Sequence, residues 1–392
     1  MLVFILASWY PSEAEPAPGV FIEEQAVALR RRHDVVVIAP ERRSWRRTVL
    51  SGRGSGLRIE QRRGLDVVRI WAGSPLPWSW RLRQAAYVRA AGRAFDEAAR
   101  VFGRPDLLHA HVVLPGGDAA LRIGRTANIP VVLTEHSGPF SMHLTDQAHR
   151  SRTAATLAGM DAVVAVSPAL SDQVVAFRPQ TEVRVIGNVI DTDFFSPGPA
   201  TSMDAPPEEF TALSVGLLTR NKGMDRVIDG ISLAASRIPR PVTLRIAGDG
   251  PERASLEAQA GRTTMAGRIQ FLGALDRDGV RDAMRTSDAF LLASESETFG
   301  VVIAEAMACG CPVITTRSGG PQWVVGQGCG ILVPVGDAPA LADAIVGLAC
   351  GQSDVDTNKA RQSIVDRFGQ DAVVGQLEVV YREVLSRRGR AD

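Results

Sequence analysis

The chain has 392 residues, enough for two domains with a core each, and its 45% hydrophobic and 22% charged residues are the balance of an ordinary globular enzyme. A formal net charge of +1 argues against wholesale nucleic-acid binding, and no stretch approaches the roughly 20 apolar residues of a membrane-spanning helix. Cys309, Cys311, Cys329 and Cys350 form no disulfide framework, and the Cys309-Gly310-Cys311 pair lacks a second pair at zinc-like spacing, so the cysteines read as small hydrophobes.

In chain order, MLVFILASWYPSE opens apolar but has neither a basic leader nor a small-residue cleavage site, and it predicts a first buried strand over Leu2 to Ala7. These features predict a cytoplasmic protein, with peripheral contact at the inner face of a membrane as an open reading. FIEEQAVALRRR puts Phe21, Ala26 and Leu29 near one helical face, and strands follow at Asp34 to Ala39 and Leu65 to Trp71. Residues 40–100 are arginine-rich (Arg42, Arg43, Arg46, Arg47, Arg53, Arg58, Arg62, Arg63, Arg81, Arg83, Arg89, Arg93) and carry Trp45, Trp71, Trp78 and Trp80. Such a segment can meet an anionic membrane, cover an acceptor site or be a solvated face. Further strands are predicted at Leu107 to Ala110, Val131 to Thr134, Ala162 to Val166 and Val183 to Ile186.

From Ser196 to Phe210 the pattern breaks into SPGPATSMDAPPEEF, read as an interdomain linker. Alternation then restarts, with strands at Thr211 to Gly216, Val242 to Ala247, Ile269 to Leu272, Ala289 to Ala293, Pro312 to Thr315 and Gly330 to Val333. The prediction is an α/β protein with a first domain over 1–195, a linker over 196–210, a second domain over 211–370, and a helix over 371–392 crossing back to the first. Two doubly wound, Rossmann-like domains facing across a cleft would bind ligands at the carboxyl ends of their strands.

Several motifs stand at such ends. Glu297 and Glu305 bracket Phe299-Gly300 where a loop enters a helix; carboxylates accept several sugar hydroxyls, and the helix start can face a phosphate. Ser214 to Gly223 passes from strand to helix with Gly216, Arg220 and Lys222. Lysine occurs in this chain only at 222 and 359, so Lys222 at a glycine turn is set against the alternative of a solvated side chain. Gly248-Asp249-Gly250-Pro251 is an incomplete dinucleotide fingerprint and equally a tight turn. His136 in Thr134-Glu135-His136-Ser137-Gly138 lies just past a strand end, and His109 and His111 flank another; such histidines are most often simply packed. Asp191-Thr192-Asp193 can chelate a divalent ion but fits turn or helix capping better.

Together these segments resemble retaining glycosyltransferases of the GT-B fold, specifically glycosyltransferase family 4. The resemblance spans SWYPSEAEPAPGVFIEEQAVAL, TEHSG, IGNVIDTDFF, VGLLTRNKG, RIAGDGPER, FLGAL, ESETFGVVIAEAMACGCPVITTRSGG and ILVPVGDAPALADAI. It implies that Glu297 holds donor-sugar hydroxyls, Glu305 the ribose, and Phe299, Gly300 and Val301 offer backbone contacts to sugar and diphosphate. It places Lys222 at the diphosphate, His136 near the donor sugar and Gly19 in the first loop, with Gly216, Arg220, Gly248 and Leu272 also on the donor. Where the family commonly carries arginine after the motif glycine, this chain has Leu217. The implied activity is retaining, metal-independent transfer from a nucleoside-diphosphate sugar, a UDP-sugar first and GDP-mannose next, with no cofactor. Its acceptor would be a glycan, lipid-linked or small-molecule hydroxyl in surface polysaccharide or glycoconjugate assembly. A non-catalytic sugar-nucleotide-binding module and a sugar-nucleotide epimerase of the same fold are the alternatives.

Overall fold

The computed structural model describes residues 1–13, 15, 17–41, 56–73, 79–198 and 208–388; Arg42, Arg43, Arg46, Arg47, Arg53, Trp45, Trp78 and the linker residues 199–207 lie outside them. The chain divides into two compact units, Met1–Val189 with Gln370–Asp392, and Ile190–Gly369.

The first unit is built on β1 (Leu2–Ala7), β2 (Asp34–Glu41), β3 (Arg58–Arg62), β4 (Leu65–Trp71), β5 (Leu107–His111), β6 (Val131–Glu135), β7 (Ala162–Ala165) and β8 (Val183–Val185), in the sheet order β3-β4-β2-β1-β5-β6-β7-β8. Val3 to Ala7 are fully buried because helices cover both faces, which is why the strand reads as a continuous apolar run. Its helices are α1 (Val20–Arg30), α2 (Trp80–Phe102), α3 (Asp118–Ala127), α4 (Gln147–Ala158), α5 (Pro168–Phe177) and the C-terminal helix Gln370–Arg388. Ile22, Ala26 and Leu29 of α1 join Val373, Leu377 and Tyr381 of the C-terminal helix in one core.

The alternation pattern predicts a wholly parallel sheet, but β3 pairs antiparallel with β4 at the edge. Its sequence, RIEQR, carries no buried residue, so it lacks the apolar run of the interior strands. The arginines around it also depart from expectation. Arg62 bonds Glu23 and Arg63 bonds Glu24, both at 2.5 Å, while Arg69, only 2% exposed, bridges Glu41 at 3.1 Å and Glu60. These cations are consumed by acids of their own unit, since a buried guanidinium left unpaired would be costly. They do not present a basic face.

The second unit runs β9 (Phe210–Val215), β10 (Val242–Ala247), β11 (Ile269–Gly273), β12 (Ala289–Leu292), β13 (Val313–Thr316) and β14 (Ile331–Val333), in the order β11-β10-β9-β12-β13-β14, with every pair parallel. Its helices are α6 (Met224–Ala235), α7 (Arg253–Ala260), α8 (Arg277–Arg285), α9 (Val301–Ala308), α10 (Gly320–Val325), α11 (Ala338–Ala349) and α12 (Thr357–Phe368). Residues 190–198 belong to this unit although the sequence pattern groups most of them with the first domain. Asp191 explains the placement. Its Oδ1 accepts from the Phe194 amide at 3.2 Å and its Oδ2 from Arg277 at 2.9 Å, and the Arg277 guanidinium lies 4.1 Å from the centre of the Phe194 ring. The Asp-x-Asp motif thus closes a turn.

In each sheet the chain winds outward in both directions from one central strand pair, β1/β5 in the first unit and β9/β12 in the second. The carboxyl ends of those pairs are where loops diverge and leave room for a ligand. Because the C-terminal helix completes the core of the first unit, Leu377→Ala should destabilise that unit by about 2–5 kcal/mol. A urea titration following the two units should show the first transition move while that of the second stays in place.

Candidate functional site

In the second unit, the carboxyl ends of β9 and β12 carry the segments that the sequence singles out. After β9 the chain turns at Gly216, passes Leu217 (58% exposed) and an exposed Arg220, and makes a single turn over Arg220–Lys222 before Gly223 starts α6. Gly223 has φ +63, and a Cβ there would sit 2.0 Å from the Ala293 carbonyl oxygen, so only glycine lets this loop lie against the end of β12. Asn221 ties the same contact, accepting from the Glu295 amide at 2.8 Å and donating to the Ser296 carbonyl at 3.0 Å. Gly248, after β10, approaches Gly216 as closely: its Cβ would fall 1.9 Å from the Gly216 carbonyl oxygen. The Gly248 amide donates to Gly273 at 2.7 Å, which brings the exposed Leu272 at the end of β11 beside this loop.

Glu297 is held by backbone on both sides: its amide donates to the Ser318 carbonyl and its carbonyl accepts from the Gly320 amide, each at 2.9 Å. Its Oε1 accepts from Lys222 Nζ at 2.5 Å and from Ser294 Oγ at 2.9 Å. Among the described residues Oε2 has no hydrogen bond, so half of the carboxylate remains available to a hydroxyl donor. Lys222 is 25% exposed and Glu297 11%, side chains sheltered enough to strengthen their attraction and open enough for a ligand to reach.

Gly300, at φ +93, starts α9, whose first residue is Val301. Glu305 stands half-buried on that helix. Phe299 is buried edge-on against Trp323 and Phe368, so only its backbone can meet a ligand. The cysteines are free thiols: Cys309 and Cys311 are buried, and burial pushes the Cys309 thiol up to about 12. Among the described residues no group of three or more His, Cys, Asp and Glu side chains is placed to hold a metal.

In the first unit, Gly19 begins α1 at φ +81 against the Trp9 carbonyl, and Phe21 of that helix lies 4.5 Å from the His136 ring. His136 follows β6 and its Nε2 is 2.9 Å from His111 Nδ1. The His111 ring stacks on that of His109 at 4.5 Å, and His109 is fixed by Tyr381 Oη at 2.6 Å and Thr134 Oγ1 at 2.7 Å. Burial holds His109 at a pKa of about 3 and His136 at about 4, and it pushes His111 well below its usual value. Glu135 behaves oppositely. Burial alone would raise it, but His143 and the amides of Ser137 and Val113 hold its carboxyl below the usual range.

Comparison with known proteins assigns the chain. Residues 18–194 match the family model Glycosyltransferase Family 4, and residues 209–350 match Glycosyl transferases group 1. The chain is 30% identical over 365 residues to the putative teichuronic acid biosynthesis glycosyltransferase TuaC of Bacillus subtilis, covering 88% of each protein. The chain belongs to glycosyltransferase family 4. This family 4 chain is also 33% identical over 217 residues to the lipopolysaccharide core biosynthesis glycosyltransferase LpsE of Rhizobium meliloti, a match over 55% of the chain and 60% of that protein. Its fold matches sucrose-phosphate synthase from Thermosynechococcus elongatus with a TM-score of 0.78 at 22% identity, over 99% of this chain and 100% of the other. The fold is therefore GT-B.

Of the residues the sequence proposes in this glycosyltransferase, the structure brings together Lys222 and Glu297, and Gly216 and Gly248. Arg220 points away from any ion pair among the described residues. Sequence reasoning passes over Ser294 and Asn221, which orient Glu297 and its loop, and Asn188, whose side chain lies against His136. A polar residue three positions ahead of the first glutamate is a faint signal for Ser294; nothing local marks Asn188.

The neutral histidines make stability depend on pH. Their folded pKa values lie below the unfolded value, so their contribution is complete above about pH 6.5 and is lost as pH falls toward 4. At pH 5, His109 and His136 should each cost roughly 2 kcal/mol relative to pH 7. Urea unfolding of the first unit at the two pH values checks this; equal midpoints would contradict it.

Proposed function

We propose that this chain transfers a sugar, with retention and without a metal, from a nucleoside-diphosphate donor to an acceptor hydroxyl in surface polysaccharide or glycoconjugate assembly. The Lys222–Glu297 contact carries the reading. It sets a cation and a carboxylate with one free oxygen side by side where β9 and β12 end. A sugar hydroxyl donating to Glu297 Oε2 and a diphosphate oxygen accepting from Lys222 use groups already in place. The anomeric carbon–oxygen bond breaks, and negative charge gathers on the leaving diphosphate. Lys222, Arg220 and the helix start at Gly300 and Val301 stabilise it, while Glu305 takes the ribose. The acceptor oxygen bonds the anomeric carbon on the same face, and its proton passes to the leaving phosphate. Gly19, Gly216, Gly248 and Leu272 complete the donor contacts by family likeness, and His136 contacts the donor sugar. A UDP-sugar is the first donor to test and GDP-mannose the next.

Lys222→Ala should lower turnover by about 10² to 10³ at saturating donor, as for other preorganised anion sites. Glu297→Gln should impair transfer more than it weakens nucleoside-diphosphate binding. Unchanged turnover in Lys222→Ala, or a Glu297→Gln variant that loses affinity but not rate, would remove these roles. A wild-type chain that binds nucleotide yet neither transfers nor hydrolyses the donor is a binding module, and product formed without acceptor marks an epimerase.

The acceptor side offers a second specific feature. A groove of about 1040 Å³ lies between α2, α3 and α4, floored by Ala85, Val88 and Leu121 and rimmed by Arg81, Arg89, Arg122, Arg125 and Arg152. Its one acid, Asp118, already accepts from Arg122 and Arg152. Among the described residues Arg81, Arg89 and Arg125 make no ion pair. This surplus of cations supports peripheral contact with an anionic membrane, where each arginine contributes about 1 kcal/mol. No described helix is long and apolar enough to cross a membrane. Charge reversal of Arg81, Arg89 and Arg125 together should abolish sedimentation with phosphatidylglycerol vesicles while leaving turnover on a soluble acceptor intact; retained sedimentation sinks the membrane reading.

A further inference from the structure

Which nitrogen of His136 carries the proton is settled by its neighbours within the first unit. His136 Nε2 is occupied by His111 Nδ1 at 2.9 Å. His136 Nδ1 and His111 Nε2 are both buried with no hydrogen-bond partner among the described residues, and so is Oδ1 of Asn188, whose side chain lies against His136. Two neutral arrangements satisfy the short contact. If His136 donates from Nε2, His111 must carry its own proton on Nε2, a buried N–H with nothing to receive it, and the bare His136 Nδ1 is left beside the bare Asn188 Oδ1. If His111 donates from Nδ1, its Nε2 is merely an unused acceptor, and His136 carries its proton on Nδ1 next to an acceptor oxygen. Orphaned buried N–H groups are rarer in proteins than orphaned acceptors, so the second arrangement prevails.

We infer that His111 is a positioning residue: by donating Nδ1–H to His136 Nε2 it locks His136 as the Nδ1–H tautomer, so that neither ring nitrogen is left to act as a base. The inference rests on the proposed placement of His136 near the donor sugar for its consequence, but not for its geometry. His111 is itself held in register. Its carbonyl accepts from Ser8 Oγ at 2.8 Å, and its ring stacks on His109, which Tyr381 of the C-terminal helix and Thr134 of β6 clamp from both nitrogens. The second ring nitrogen of a working histidine is commonly fixed by such a partner. Here the partner is another imidazole, able to donate because its other nitrogen touches no acceptor that would draw the proton there.

The test is long-range ¹H–¹⁵N NMR of the full chain labelled at histidine, with His136 assigned from its loss in His136→Ala. Wild type should show a protonated Nδ1 and a bare Nε2 on His136 at neutral pH. His111→Phe should abolish the bare-Nε2 signature, and His111→Asn, whose amide N–H occupies the place of the lost Nδ1–H, should restore it. A purely structural role for His111 would leave the tautomer unchanged in every variant that folds. Wild-type His136 protonated on Nε2, or an unaltered signature in His111→Phe, overturns the inference, and the wild-type spectrum decides alone if His111→Phe does not fold. If the signatures appear as expected but His136→Ala transfers sugar at the wild-type rate, the tautomer lock stands and the donor-sugar reading of His136 fails.

Discussion

Glu297 cannot move far from Lys222, and the candidate site of the second unit is organised around that constraint. The glutamate is clipped between the Ser318 carbonyl and the Gly320 amide, and the lysine loop is pressed onto the end of β12 by a glycine with no room for a side chain. Neither clip involves the charges themselves, so the pair is preorganised by backbone and merely finished by Coulomb attraction. That matters because two partly exposed charges in water gain little from meeting. Held by backbone, they need not reorganise when a ligand arrives, and fixed dipoles and charges of this kind are what stabilise charge that develops during reaction. Ser294 adds a second donor to the same oxygen that Lys222 uses, leaving the other oxygen as the open acceptor.

The first unit solves a different problem with the opposite chemistry. Its corner beyond β5 and β6 holds three imidazoles, and burial keeps each of them neutral. A neutral imidazole cannot balance the charge of a leaving diphosphate, but it offers one donor and one acceptor in fixed directions. The fully buried carboxylate nearby, Glu135, spends its oxygens on the amides of Val113, His136 and Ser137, which shapes the loop. The second unit thus offers fixed charge, and the first unit directional hydrogen bonds.

Much of this was legible from residues alone. Buried strands announce themselves as short apolar runs, and the scarcity of lysine makes Lys222 conspicuous at a strand-to-helix turn. Contacts between elements were not legible. Lys222 and Glu297 are 75 positions apart, and their pairing follows from β9 and β12 lying side by side, which alternation alone does not reveal. The His111–His136 contact is hidden in the same way: parallel register sets His111 opposite Thr134, so the residue two beyond Thr134 reaches the ring. β3 escaped because an edge strand with polar residues on both faces lacks the pattern that marks its neighbours. The domain division shifted to Val189/Ile190 because the capping of Asp191 by Arg277 is a long-range ion pair, whereas proline and glycine content points only to where the chain bends.

Leu217 is the residue that most tests the physical consistency of the proposed donor site. It projects into solvent, 58% exposed, where the sequence resemblance leads one to expect arginine, and Arg220 on the same turn makes no ion pair among the described residues. With fewer fixed cations, the proposed reaction places more of the anion's stabilisation on Lys222, which is paired with Glu297. In the proposed donor complex a sugar hydroxyl donating to Glu297 Oε2 draws charge from the carboxylate, so the ammonium, without leaving its place, is less fully neutralised. Under that proposal, binding of the sugar and stabilisation of the diphosphate are coupled through the Lys222–Glu297 contact. That coupling follows from a carboxylate that is an ion-pair partner and, in the proposed reaction, a hydroxyl acceptor as well.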